Sequence, residues 1–139
     1  MAKIAVEEDY AASAAVVWKR LADFGGLASW MPGVESCETE GDGIGAVRKV
    51  VMGPVQVVER LEAFDDAGRS LSYSIAEGPM PVENYLATIR VQEAGADACH
   101  VDWTASFDLP DGLSEEQLAP GLQGAYGGAL KALKPLVEG

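Results

Sequence analysis

The sequence predicts an α+β fold. A curved, seven-stranded antiparallel sheet is wrapped around one long C-terminal helix, with one or two short helices between strands 1 and 2. Three observations carry this. Residues 55–92 alternate apolar and polar side chains over three successive runs, and a period of two marks strands with one covered face and one wet face. Residues 98–108 alternate more cleanly still, with Cys99, Val101, Trp103, Ala105 and Phe107 set against His100, Asp102, Thr104 and Ser106. Residues 115–137 form the one long amphipathic helical stretch, and a sheet with a single apolar face needs such a cover.

In order, residues 3–10 read as the first strand. Ser13 is placed to cap a helix running to about residue 23, with Val17, Leu21 and Phe24 at helical spacing. Gly25-Gly26 ends it, and 27–31 is at most one further turn before Pro32-Gly33. Strands follow at 34–40 and 46–52, separated by Gly41-Asp42-Gly43. Within the central block, Val55, Val57, Leu61 and Ala63 share a face. So do Leu71, Tyr73 and Ile75, and then Tyr85, Ala87, Ile89 and Val91. The segments 65–68 and 78–81 supply the turns between these runs. Pro110-Asp111-Gly112 breaks the chain, Ser114 caps, and the final helix carries Lys131 and Lys134 toward its C-terminus.

The chain has 139 residues, which makes a single domain, 1–139, with a sizeable core the expectation. A net charge of −12 without a Lys/Arg cluster repels phosphate backbones, so neither nucleic acid nor an anionic membrane is an expected partner. No apolar run approaches the roughly 20 residues that span a bilayer, and the N-terminus lacks a signal-peptide core, so a cytoplasmic protein is expected. Cys37 and Cys99 read as free, packed thiols. With one histidine and no Cys-x-x-Cys, no metal site is expected. No Gly-rich phosphate loop or Ser/His/Asp set is present, and no cofactor is expected. A monomer and a homodimer are equally compatible with these features.

Two features point to chemistry inside the grip. Gly121, Gly124, Ala125, Gly128 and Ala132 form a nearly side-chain-free stripe on the final helix. Such a stripe either lets the helix backbone sit directly on the sheet or leaves room for a ligand. The bulky facing residues Tyr73, Tyr85, Trp103 and Phe107 favour a lined cavity. Leu118, Leu122, Leu133 and Leu136 lie beside the stripe as ordinary core, and Gly127 falls on the polar side.

The second feature is a pair of charges. If Gly53-Pro54 closes a two-residue turn, Met52 lies opposite Val55, Val50 opposite Val57, and Arg48 opposite Glu59. Both charges then share the concave face, where an inward carboxylate demands a partner. The pair either braces the sheet or presents Glu59 to a ligand's hydroxyl as an acceptor or base. Burial would raise the Glu59 pKa and Arg48 would lower it. Tyr85 either offers its hydroxyl to a ligand or fills the core. Glu77 and Glu83 continue the inward parity at a presumed rim, His100 has outward parity, and Trp30-Met31 is placed to close one end. No lysine takes an inward position, which argues against Schiff-base chemistry.

Val17-Trp18, Ala22-Asp23-Phe24, Trp30-x-Pro32-Gly33-Val34, Gly45-x-Val47-Arg48, Glu59-Arg60-Leu61-Glu62 with Asp65-Asp66, Leu71-x-Tyr73 and Pro81-Val82-x-Asn84-Tyr85 occur in this order over almost the whole chain. In this pattern the sequence resembles the START/Bet v 1-like (SRPBCC) superfamily, specifically its polyketide cyclase/dehydrase-type small proteins. The resemblance implies a helix-grip fold with a cavity for small hydrophobic or aromatic molecules. More distantly, the chain is similar to the plant abscisic-acid receptors. That likeness puts Glu59, Tyr85, Ala87, Trp103, Gly121 and Ala125 at ligand-lining positions, and Gly53-Pro54 and 78–81 at two closing loops. Met31 stands where those receptors carry an anchoring lysine, and Met80-Pro81 where they carry His-Arg. A neutral, phenolic or polyketide-like ligand is therefore expected rather than an acidic one.

Together these readings give a candidate binding set of Met31, Arg48, Val50, Met52, Val57, Glu59, Tyr73, Tyr85, Ala87, Trp103, Phe107, Gly121, Gly124, Ala125 and Gly128. The expected partner is a small hydrophobic molecule. The alternative is a cyclase, dehydratase or lyase with Glu59 as acid/base and Tyr85 as hydrogen-bond donor, the two candidate catalytic residues. A third possibility is an interaction module with a collapsed interior.

Overall fold

Alternation of period two builds the sheet, and hairpins join it. The computed structural model describes residues 2–79 and 82–138, so Met80 and Pro81 of the second expected loop lie outside the described residues. The elements are β1 (Ala2–Tyr10), α1 (Ala14–Ala22), a 3-10 turn (Leu27–Ser29), β2 (Ser36–Glu40), β3 (Val47–Met52) and β4 (Val55–Asp65). Then come β5 (Ser70–Glu77), β6 (Glu83–Gly95), β7 (Ala98–Asp108) and α2 (Glu115–Glu138). The seven strands form one antiparallel sheet in the order β1-β7-β6-β5-β4-β3-β2. Strands β2 to β7 are therefore successive neighbours, and the segment holding α1 carries the chain from one sheet edge to the other.

Local chemistry sets the ends of the elements. The Ser13 hydroxyl accepts from the Val16 amide at 3.2 Å, capping α1, which buries Ala14, Val17, Trp18 and Leu21. At α2 the Ser114 amide donates to the Gln117 side chain at 3.0 Å, half of a capping box. Gly53 takes φ 60° in the β3–β4 turn, a left-handed conformation suited to glycine. That turn sets the expected register, with Met52 opposite Val55, Val50 opposite Val57 and Arg48 opposite Glu59.

Strand β4 departs from simple alternation. Register shifts fall between Val58 and Glu59 and between Leu61 and Ala63. The second reverses the expected parity, so Ala63 is exposed, while Phe64 lies opposite Leu71 with its ring 5.6 Å from that of Trp18. A bulge of one residue is invisible to a pattern that assumes strict pairing.

The orientation of α2 corrects a larger expectation. Ala119, Tyr126, Ala129, Leu130 and Leu133 are buried, whereas Gly121, Gly124 and Gly128 are exposed and a Cβ on any of them would meet nothing within 4 Å. The small-residue stripe faces away from the sheet. A helix turns its largest apolar side chains inward because the stabilisation scales with apolar area removed from water, and glycines have almost none to bury. Gly127 is the glycine set over the sheet, where a Cβ would lie 3.9 Å from Val6 Cγ1. Leu118 and Leu122 are half-buried, and Leu136 is exposed.

Contacts with β1 fix this rotation. The Tyr10 hydroxyl donates to the Leu130 carbonyl at 2.6 Å, and Lys134 donates to Glu8 at 3.3 Å. The Ala11 amide donates to Glu138 at 2.8 Å. Cys37 and Cys99 are free thiols, half-buried and buried respectively. Among the described residues, no helix is long and apolar enough to cross a membrane.

Candidate functional site

A cavity of about 130 Å³ lies between the concave face of the sheet and α2. Val50 and Met52 of β3, Val57 of β4, Tyr73 of β5 and Trp103 of β7 form its floor. Leu27 and Met31 close one side, and Leu122, Ala125 and Tyr126 of α2 form the roof. Met31, Met52 and Leu122 are half-buried and Ala125 is exposed, so they mark the rim. The charges in this wall belong to Arg48 and Glu59.

Nine residues of the expected binding set thus line one cavity: Met31, Arg48, Val50, Met52, Val57, Glu59, Tyr73, Trp103 and Ala125. Six do not. Tyr85, Ala87 and Phe107 are fully packed into the core beside it, with the Tyr85 and Phe107 rings stacked at 6.1 Å. Gly121, Gly124 and Gly128 point to solvent, for the reason given by the rotation of α2. Glu77 and Glu83 are exposed.

Three lining residues had not been assigned to the site: Leu27, Leu122 and Tyr126. Tyr126 matters most. Its ring is parallel to Trp103 within 6°, with centroids 4.2 Å apart, and it fills much of the space that the small stripe was expected to leave. The signal was present in the sequence. Tyr126 is the sole aromatic residue of α2 and lies four residues from both Leu122 and Leu130.

Arg48 is buried, Glu59 is largely covered, and the pair is well held. Arg48 Nε donates to Glu59 Oε1 at 2.8 Å, and its Nη1 donates to the Phe24 carbonyl at 3.0 Å. The guanidinium also lies 4.1 Å from the Phe24 ring centroid and 5.0 Å from that of Tyr73. Burial pushes the Glu59 carboxyl above its ordinary range, against the opposing charge and hydrogen bond of Arg48. Deeper in, Trp103 Nε1 donates to the Tyr73 hydroxyl at 3.2 Å. The neighbouring Tyr85 hydroxyl is buried and has no hydrogen-bond partner among the described residues. Burial, then the negative charge of Glu59, raise the Tyr85 phenol far above its usual value. A neutral donor therefore sits near a carboxylate of raised basicity.

A second polar group lies on the outer face. His100 Nδ1 is 2.6 Å from Asp9 Oδ1, and its Nε2 is 3.2 Å from Asp102 and 3.6 Å from Glu7. His100 has the outward parity expected of it, but it is ringed by carboxylates rather than simply solvated.

Residues 1–138 match the family described as polyketide cyclase / dehydrase and lipid transport. The protein XoxI from Bacillus cereus is 32% identical, with a TM-score of 0.90 over 99% of this chain and 96% of its own. A protein from Thermobifida fusca is 31% identical, with a TM-score of 0.85 over 96% of this chain and 91% of its own. Norcoclaurine synthase from Thalictrum flavum, solved in complex with dopamine and hydroxybenzaldehyde, is 24% identical. It gives a TM-score of 0.75 over 95% of this chain and 85% of its own, a likeness of fold. No curated protein sequence matches the chain.

Proposed function

The chain belongs to the polyketide cyclase/dehydrase and lipid-transport family, and from that premise we propose that it binds a small apolar or aromatic molecule in the cavity between sheet and α2. The observation that carries this reading is an apolar cavity set beside an inward ion pair. The cavity, about 130 Å³, opens at a rim of Met31, Met52, Leu122 and Ala125, and its inner wall is apolar except for that pair. An inward carboxylate carries a desolvation cost that a packed aliphatic pair would avoid. This make-up supports a site for a small ring with one polar substituent. The apolar lining supplies contact area, and Glu59 with Arg48 orients a polar substituent. The test is thermal unfolding against simple phenols. A ligand present at 100 times its Kd adds about 2.7 kcal/mol, and no shift with any phenol or other small apolar ring sinks the reading.

A specific observation favours a second reading, a cyclase, dehydratase or lyase in the same cavity. Burial raises the carboxyl of Glu59, which lines the cavity, above its ordinary range, as an acid/base requires, while Tyr85 is packed behind the wall and would have to turn inward to act as donor. Glu59→Gln separates the two. A binder keeps most of its affinity, whereas an enzyme loses roughly 10²–10⁴-fold in turnover with affinity little changed.

A further inference from the structure

The roof of the cavity is what limits its size. Trp103 offers a broad aromatic face to the interior, and Tyr126 lies flat on it at 4.2 Å and 6°. The remaining space, about 130 Å³, is close to the roughly 150 Å³ of an engineered apolar cavity that takes up benzene. It is well below the 300–1,000 Å³ or so typical of sites for drug-sized ligands. One ring fills what is left between Trp103, Tyr126 and the ion pair, and a second fused ring would have to project past the rim.

We propose that Tyr126 is the specificity-determining residue of this site. It restricts the ligand to a single ring bearing one polar substituent, by occupying the place a second ring would take against Trp103. The inference rests on the binding reading above and adds to it the ligand's size and the residue that sets it. Two features hold Tyr126 in place. The residue is only 8% exposed, so swinging its ring out would bring both its own face and that of Trp103 into water. Its backbone also lies in the stretch of α2 between the half-buried Leu122 and Leu130, whose carbonyl accepts from Tyr10. The polar substituent is placed by the other end of the cavity. Arg48 and Glu59 are the charged groups of the wall, and a hydroxyl or amine donor satisfies the carboxylate whose recorded partner among the described residues is Arg48.

Phenol and 1-naphthol distinguish the cases, because they share the hydroxyl and differ by one fused ring. Binding is measured by calorimetry and thermal shift on the unaltered protein, Tyr126→Leu and Tyr126→Ala. The unaltered protein should bind phenol at least tenfold more tightly than 1-naphthol. This inverts the order that hydrophobicity alone would give, since the larger apolar surface ordinarily binds better. In Tyr126→Leu and Tyr126→Ala the preference should reverse. The comparison on the unaltered protein stands even if the alanine variant fails to fold, and the leucine variant keeps an apolar residue on the buried face. Tighter binding of 1-naphthol by the unaltered protein, or an unchanged ratio in a folded variant, overturns the size rule alone. Failure of every protein to bind either probe overturns the binding reading and the inference with it.

Discussion

Arg48 Nε lies 2.8 Å from Glu59 Oε1, with the two side chains only 6% and 14% exposed. A pair this deep is held by more than its own Coulomb attraction. The Phe24 carbonyl takes a second guanidinium hydrogen, and the Phe24 and Tyr73 rings flank the cation. These contacts couple the stretch after α1 to β3, β4 and β5, so the pair also positions one wall of the cavity.

Removing one partner should therefore be costly. Arg48→Met leaves the carboxylate buried without its cation, and such a change destabilises by about 3–5 kcal/mol. It should also raise the Glu59 pKa further, since the two influences of Arg48 that lower it are lost. Urea unfolding measures the first effect, and carboxyl NMR titration the second. A loss under 1 kcal/mol would mean that the pair is solvated.

The glycines of α2 make the opposite prediction. Gly121, Gly124 and Gly128 face solvent in a helix interior, where a Cβ meets no obstacle. Gly124→Ala should stabilise the protein by about 1 kcal/mol, with ligand affinity unchanged. Loss of affinity in a folded Gly124→Ala protein would place that face toward the cavity after all.

Tyr10 tests how α2 is anchored. Its hydroxyl, buried at 2.6 Å from the Leu130 carbonyl, is absent in Tyr10→Phe, which should lose about 1–2 kcal/mol. Amide exchange near Leu130 should quicken in the variant. Unchanged protection there would show that the helix is held by packing alone.

His100 gives a pH dependence. Its pKa is raised above the ordinary 6.5, chiefly by the hydrogen bond with Asp9, with Asp102 adding to it and partial burial opposing. A group raised in the folded state contributes stability that is full below its unfolded pKa and is lost as pH rises through the folded one. Unfolding free energy should thus fall as pH climbs from about 6.5, and His100→Gln should flatten that slope. The carboxylates facing it are Glu7, Asp9 and Asp102. An equal slope in the variant would assign the effect elsewhere.

What the sequence by itself determined is everything that depends on a period of two and a short turn. The seven strands and the meeting of Arg48 with Glu59 follow from alternation and from Gly53-Pro54, because a two-residue hairpin leaves only one register, whereas the pairing of β1 with β7 is a tertiary contact. Tertiary structure decided what a one-dimensional pattern leaves degenerate. Helix α2 carries two plausible inner faces, one of small residues and one of Leu122, Tyr126, Leu130 and Leu133. Only contact with the sheet selects between them, because burial rewards the larger side chains. The ring of Tyr126 against Trp103 likewise arises from packing between separate elements, and the bulge that turns Ala63 outward from an uneven pairing of the consecutive strands β4 and β5. The size of the cavity is therefore a property of how those surfaces meet and is carried by no single stretch of sequence.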